Sequence, residues 1–354
     1  MKNFILTFLL LIINLTLFGQ NNDTWFSFWN EDRTLIGYKD KNGIIKIEPR
    51  FTTYVYANKF DNIMVAIEHV NEEWERYYLT KQGRMIGIDS LFIFAWLECE
   101  NEGFIRFRDP KTDKAGMFNK NGDIAIPAEY SELTRVRNGM IIALKDDKRM
   151  YWEDENYYPR PEGTELLIDT LNNILIDNFP YDDNCLNFFS VEITKEPHSD
   201  PMRKSFLARD GNYYSFVEFE KEFKYWLTND LLSNLTSQNL INASYATIYY
   251  WDSYKEGWTK SNRREFINNN FEVLKTDLLE ILNSDSDYFI LRDELSERVE
   301  YEKYFNNCGQ LKTWIYPVMD IFTSRKSNRN IYEFLRTDEG YKLIRVTISD
   351  KKLK

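Results

Sequence analysis

The chain has 354 residues, 43% of them hydrophobic and 29% charged, which excludes both a disordered chain and a polytopic membrane protein. Phe, Tyr and Trp together make up 16%, a share that favours strand-rich structure with large, flat contacts. With 45 basic against 56 acidic residues the net charge is −11, and so acidic a surface repels phosphate backbones, so no nucleic-acid partner is expected.

Met1-Lys2-Asn3 precede an apolar run from Phe4 to Phe18, broken only by Thr7, Asn14 and Thr16. One positive charge followed by such a run, ending at the small residue Gly19, has the layout of a secretory signal peptide over residues 1–19. The run is short of the roughly 20 residues a spanning helix needs, so no stable membrane span is expected after its removal. No cysteine lies at the junction, so a lipoprotein anchor has no attachment point. The expected location is therefore periplasmic or secreted, in a bacterial setting. Cys99, Cys185 and Cys308 are too few and too scattered for a disulfide scaffold or a metal motif. Buried thiols are the expected state, with a single bridge left open.

The next two hundred residues carry a repeat. Asp40-Lys41-Asn42-Gly43 and Asn119-Lys120-Asn121-Gly122 sit between apolar, β-branched and aromatic runs. More divergent copies are Thr80–Gly83, Asp169–Asn172 and Ala208–Gly211. The closing positions 43, 83, 122, 172 and 211 are spaced by 40, 39, 50 and 39 residues, and the long step holds a Pro-rich insertion at 157–163. In each turn an Asp, Asn or Thr side chain can accept from amides two residues on, and Gly or Asn supplies a positive φ. An aromatic recurs after the turn at Phe51, Phe92, Tyr130 and Phe179, with Pro49 and Pro127 ahead of two of them. Several short strands per forty residues is the pattern of a propeller blade or another all-β repeat.

Gly37-Tyr38, Asp40, Gly43, Ile47, Pro49 and Phe51, with their counterparts Gly116-Met117-Phe118, Gly122, Ile126-Pro127 and Tyr130, resemble the WG-containing repeat. The resemblance spans about residues 25–217 and implies a β-propeller-like fold used as an interaction or scaffold module, with no family catalytic residues. The Trp of the motif is replaced by Ile36, Arg76 and Ala115, and Tyr77 stands in place of the Gly.

From Ser215 the period changes. Phe216, Phe219, Phe223, Trp226 and Leu227 predict an amphipathic helix, with Ser215 and Glu218 as its capping box. A second helix is expected over 262–283, capped by Asn262 and Glu265, with Ile267, Phe271, Leu274, Leu278 and Ile281 as its buried stripe. Strands are then expected at Tyr288–Arg292, Leu311–Thr323, Ile331–Arg336 and Tyr341–Ser349, the last two joined by a turn at Thr337–Gly340. Two helices followed by an antiparallel sheet describe an α+β domain. Over about twenty residues, Tyr332–Arg336 and Gly340–Val346 are similar to the closing strands of NTF2-like folds, which implies a concave sheet with a pocket. The organisation read from the sequence is thus mainly β: a leader at 1–19, a WG-like β-repeat (propeller-like) domain at 20–214 and a smaller α+β domain at 215–354.

Chemistry-bearing residues are sparse. His69 shares strand parity with Val65 and Ile67 and is expected at a rim, and His198 lies in a Pro-bounded loop beside Ser199 and Asp200. Asn283–Asp287 lacks the Gly and Glu of a calcium loop. Asp182-Asp183 and Glu153-Asp154-Glu155 are acidic enough for glycosidase chemistry but read as solvated faces. Tyr54-Val55-Tyr56, Tyr157-Tyr158, Tyr213-Tyr214 and Tyr249-Tyr250-Trp251 offer aromatic contact area near predicted turns. No catalytic, metal or cofactor residue is assigned. The reading is an exported, non-enzymatic module for a protein or envelope partner. Its rivals are a carboxylate-dependent hydrolase of envelope glycans and a carrier with an apolar pocket lined by Trp314, Tyr316 and Phe334.

Overall fold

The computed structural model describes residues 24–55, 57–94, 96–146, 163–180, 185–252, 257–283, 290–291, 299–325, 328–348 and 353. The leader at 1–19 and the insertion at 157–162 lie outside them. The fold is mainly β, built from several antiparallel sheets.

Each of the five turns joins two hairpin strands. In the first unit these are β2 (Leu35–Lys39) and β3 (Ile45–Thr52), preceded by β1 (Trp25–Trp29). In the second they are β5 (Glu73–Thr80) and β6 (Met85–Ile86), after β4 (Ile63–Val70). The third consists of β7 (Phe104–Arg108), β8 (Ala115–Asn119) and β9 (Ile124–Tyr130). The fourth consists of β10 (Met140–Lys145), β11 (Thr164–Asp169) and β12 (Ile174–Asp177). In these four units the second strand lies between the first and third. The fifth departs from the rule: among β13 (Leu186–Thr194), β14 (Arg203–Leu207) and β15 (Tyr213–Glu218), the last is central.

All five bends are closed in the same way. The amides of Gly43, Gly83, Gly122, Asn172 and Gly211 donate to the carbonyl three residues back, at 3.0, 2.9, 2.9, 3.1 and 3.0 Å. All five residues have positive φ, from 66° at Asn172 to 84° at Gly83, a region that Gly enters freely and Asn tolerates. Asp40, Asn119 and Asp169 each accept from the amide two residues on at 2.9 Å, as the turn chemistry requires. Thr80 instead accepts from Arg84 four residues on, and in the fifth turn Asp210 takes the capping role that Ala208 cannot fill.

The sheets stack on one another. In β8, Phe118 joins the core of the first two units, while Ala115 and Met117 turn the other way into a core shared with the fourth. In β10 and β11, Ile141, Ala143, Leu166 and Ile168 face the third unit; Met140, Ile142 and Leu167 face the fifth. The two middle sheets are therefore buried on both faces, which explains their near-continuous apolar runs. The recurrent aromatics Phe51, Phe92, Tyr130 and Phe179 are all buried. Three later turns also rest on the third strand of the unit before. Gly122 lies against Ile86, Asn172 accepts from the Tyr130 hydroxyl and donates to Glu129, and Arg209 pairs with Asp177 at 2.7 Å.

Two glycines reveal why the best-matching units look as they do. Ile36 pairs with Phe51 and Tyr38 with Ile47, so Gly37 alone faces Glu48, Pro49 and Arg50. Ala115 pairs with Tyr130 and Met117 with Ile126, so Gly116 alone faces Pro127, Ala128 and Glu129. A bulge this large drives the partner backbone into the space a side chain would fill. Opposite Tyr77 the short β6 makes no pairing, since it pairs only with Tyr78 and Leu79, and there the Gly is dispensable.

The remainder is a six-stranded sheet with helices on one face. The expected first helix is displaced: β15 runs to Glu218, and α1 (Phe219–Tyr225) starts there with no side-chain cap. Ser215 is a buried strand residue whose hydroxyl meets that of Ser205 at 2.8 Å, so it caps nothing. A π-helical turn at Trp226–Leu231 follows, and then α2 (Ser237–Asn242), capped by Thr236. Two strands, β16 (Ser244–Asp252) and β17 (Gly257–Asn262), precede α3 (Arg263–Glu280), so the helices do not simply come before the sheet. Asn262 caps α3 by accepting from Arg264 at 2.9 Å, whereas Glu265 faces Ser261 and does not close a capping box. The stripe Ile267, Leu274, Leu278 and Ile281 is buried as its spacing predicts, with Phe271 packed alongside. The sheet is completed by β18 (Val318–Arg325), β19 (Asn328–Thr337), β20 (Gly340–Thr347) and a short edge at Ile290–Leu291. One pair in it, β16 with β20, is parallel.

Candidate functional site

On the sheet face opposite the helices, register places five polar side chains in one row. Asp320 pairs with Glu333, Glu333 with Arg345, Arg345 with Tyr249, and Tyr249 with Lys260. Residues directly opposite on paired strands stand about 5 Å apart at Cβ. Both carboxylates are buried, and Arg345 donates to Glu333 at 3.0 Å. The Arg345 guanidinium also lies 4.9 Å from the ring centre of Trp258, which is half exposed and meets Trp251 edge-on. The row sets two carboxylates, a cation and an aromatic ring side by side on neighbouring strands.

The segment 299–316 crosses the same face. Tyr301, Tyr304 and Leu311 pack there on Val318, Leu335 and Ile344. Its outer side touches the first units. Cys308 forms a disulfide with Cys99, which corrects the expectation of buried thiols, and Cys185 stays outside the bridge. Beside the bridge, Asn58 and Lys59 amides donate to the Asn307 carbonyl at 2.8 and 3.2 Å, and the Asn307 side chain donates to Asp61. Arg135 donates to Gln310 at 2.7 Å and to Glu98 at 2.9 Å. Glu98 also takes Arg106 at 2.6 Å. Burial works to raise the Glu98 pKa, yet the two guanidinium groups outweigh it and hold the carboxyl below its usual range. Glu100, next along, is pushed the other way by burial, against bonds from Asn62 and Ile63.

A third polar group lies between the first two units. Tyr77 donates to Glu68 at 2.5 Å, and the Arg50 guanidinium reaches both. Burial and the adjacent carboxylate raise the Tyr77 pKa, so the phenol stays a proton donor at neutral pH.

The histidines are placed as rim and loop residues. His69 is exposed near the tip of the β4–β5 hairpin, 5.0 Å from the ring of Trp74. His198 accepts from the Asp200 amide and faces Glu192 at 3.2 Å, so it braces its own loop; its amide donates to Ser205. Asp182-Asp183, Glu153–Glu155, Tyr157-Tyr158 and 284–287 of the acidic turn lie outside the described residues. Tyr54 is exposed, Tyr213 and Tyr214 are half-buried, and Tyr250 is in the core. Phe334 packs among the helices while Tyr316 packs on the opposite face, so these two cannot line one pocket with Trp314.

Sequence reasoning missed Asp320, Glu333 and Arg345. The signal for the two carboxylates is parity: Asp320 alternates with Met319 and Ile321, and Glu333 with Tyr332 and Phe334, so both fall on the opposite face, whereas Arg345 sits at a bulge where Ile344 shares that face and alternation is lost. Among the described residues no group of three or more His, Cys, Asp and Glu could hold a metal, and no helix is long and apolar enough to cross a membrane. No protein-family model, curated protein or solved structure matches the chain.

Proposed function

We propose that this chain is an exported, non-enzymatic interaction module of the WG-repeat kind. Its stacked units form a propeller-like first domain, and a smaller α+β domain lies beside it. The observation that carries the reading is that large aromatics stand exposed on rigid strands. Trp29 is 48% exposed, Trp74 54% and Trp258 48%. Tryptophans held on strands give a partner large contact area at low entropic cost. Several inward carboxylates are meanwhile engaged in structure: Glu98 with two arginines, Glu68 with Tyr77, Glu333 with Arg345, and the half-buried Glu222 with Arg336 and Tyr341. The Cys99–Cys308 bridge suits an oxidising compartment and so supports export.

The test is affinity capture from bacterial envelope extract, comparing the wild type with the triple variant Trp29→Ala, Trp74→Ala, Trp258→Ala. A protein partner retained by the wild type and reduced at least tenfold by the folded variant is the expected result. Equal recovery by both, or retention of purified peptidoglycan alone, contradicts the proposal.

A further inference from the structure

Segment 299–316 is a clasp with two unlike sides. Towards the C-terminal sheet it buries Tyr301, Tyr304 and Leu311 in an apolar cluster. Towards the first units its contacts, apart from Cys308 itself at the edge of their core, are polar: the Asn307 carbonyl and side chain, Gln310 on Arg135, and Glu302 on Lys59 at 2.9 Å. Glu302 is 73% exposed in that pair, and such a pair adds little against water and salt. Hydrogen bonds that water can replace also contribute only modestly. The covalent bond sits in the middle of this polar side and closes a separation of 209 residues. It sets the local concentration that keeps the weak contacts made.

We propose that the Cys99–Cys308 bond is the latch of this clasp, and that reduction by a dithiol releases the clasp from the first units while both parts stay folded. The clasp then stays with the C-terminal sheet, because its apolar side is the stronger one, and the part beyond Glu218 moves with it. The chemistry is thiol–disulfide exchange. Cys99 is 2% exposed and Cys308 is half-buried, so the incoming thiolate attacks the Cys308 sulfur and Cys99 leaves as a thiolate that takes up a proton. The second thiol of the reductant then resolves the mixed disulfide. Cys308 is left as a thiol and the reductant carries the new disulfide, with two electrons and two protons transferred in all.

Hydrogen exchange on the full chain, with and without dithiothreitol, tests this. On reduction, confirmed by the mass gain after alkylation, the amides of Asn58 and Lys59 should lose at least tenfold in protection. Strands β11 and β20 should keep theirs. The double variant Cys99→Ser, Cys308→Ser should match the reduced protein under both conditions. Unchanged protection at Asn58 and Lys59 in the reduced chain overturns the proposal. So does collapse of β11 and β20 along with them, which would make the bond a global stabiliser, and so does absence of the bridge from the air-oxidised protein.

Discussion

Gly116→Val is expected to cost the fold about 3 kcal/mol, near the top of the range for overpacking, seen as a lower urea midpoint at unchanged slope. A Cβ at Gly116 would stand 2.5 Å from the Phe107 ring and 2.8 Å from the Ile126 carbonyl. The ring could shift, but the carbonyl belongs to the strand that bulges past Gly116 and cannot move without breaking β8 from β9. Gly37 repeats the situation in the first unit, where a Cβ would meet the Ile47 carbonyl at 2.6 Å and the Pro49 nitrogen at 2.7 Å. Gly37→Ala should therefore be costly too, even though Ala is small. A Gly116→Val protein as stable as the wild type would mean that the bulge is not built as described.

The second large effect is expected at Glu98. Glu98→Ala removes the carboxylate shared by Arg106 and Arg135 and leaves two guanidinium groups with little solvent access, which costs about 3–5 kcal/mol when a buried pair loses one partner. The pH dependence follows from the lowered pKa. The folded state binds the Glu98 proton more weakly than the unfolded chain, so the stabilisation is fully present above the ordinary glutamate range. It is lost as pH falls through the folded value. Glu100 has the opposite sign: its raised pKa means that its ionised form weakens the fold, and that penalty is relieved as pH falls through the folded value. Urea midpoints between pH 3 and 7 separate the two. The wild type should lose more stability on acidification than Glu98→Ala does, and parallel curves would contradict the assignment.

How far the sequence discloses this molecule depends on the range of the interaction. Turn chemistry is local, so Asp40 to Gly43 and Asn119 to Gly122 announce their hairpins, and the forty-residue spacing links them. The stripe on α3 is equally local. The start of α1 misleads because Ser215 and Glu218 have capping-box spacing, yet Phe216 alternates into a core with Phe179 and Phe188 and keeps the chain in strand. Strand β16 hides in an aromatic run in which Ile248 and Tyr250 face the helices while Tyr249 faces the other way. The latch and the polar row need tertiary information. Cys99 and Cys308 are brought together only by the fold, and Asp320, Glu333 and Arg345 only by strand register.

The claim on which the rest stands is that five bends recur as the same closed turn. It is tested by placing Ala in turn at Gly43, Gly83, Gly122 and Gly211 and measuring the urea midpoint of each variant. Each has φ near +80°, where a Cβ costs about 1–2 kcal/mol. Gly122 should suffer most, because its Cβ would press on Ile86 and Thr80 at 3.0 Å while the other three have open space. Four losses in that order are the predicted result. A neutral substitution at any of the four would show that its bend is not the shared turn, and would contradict the account.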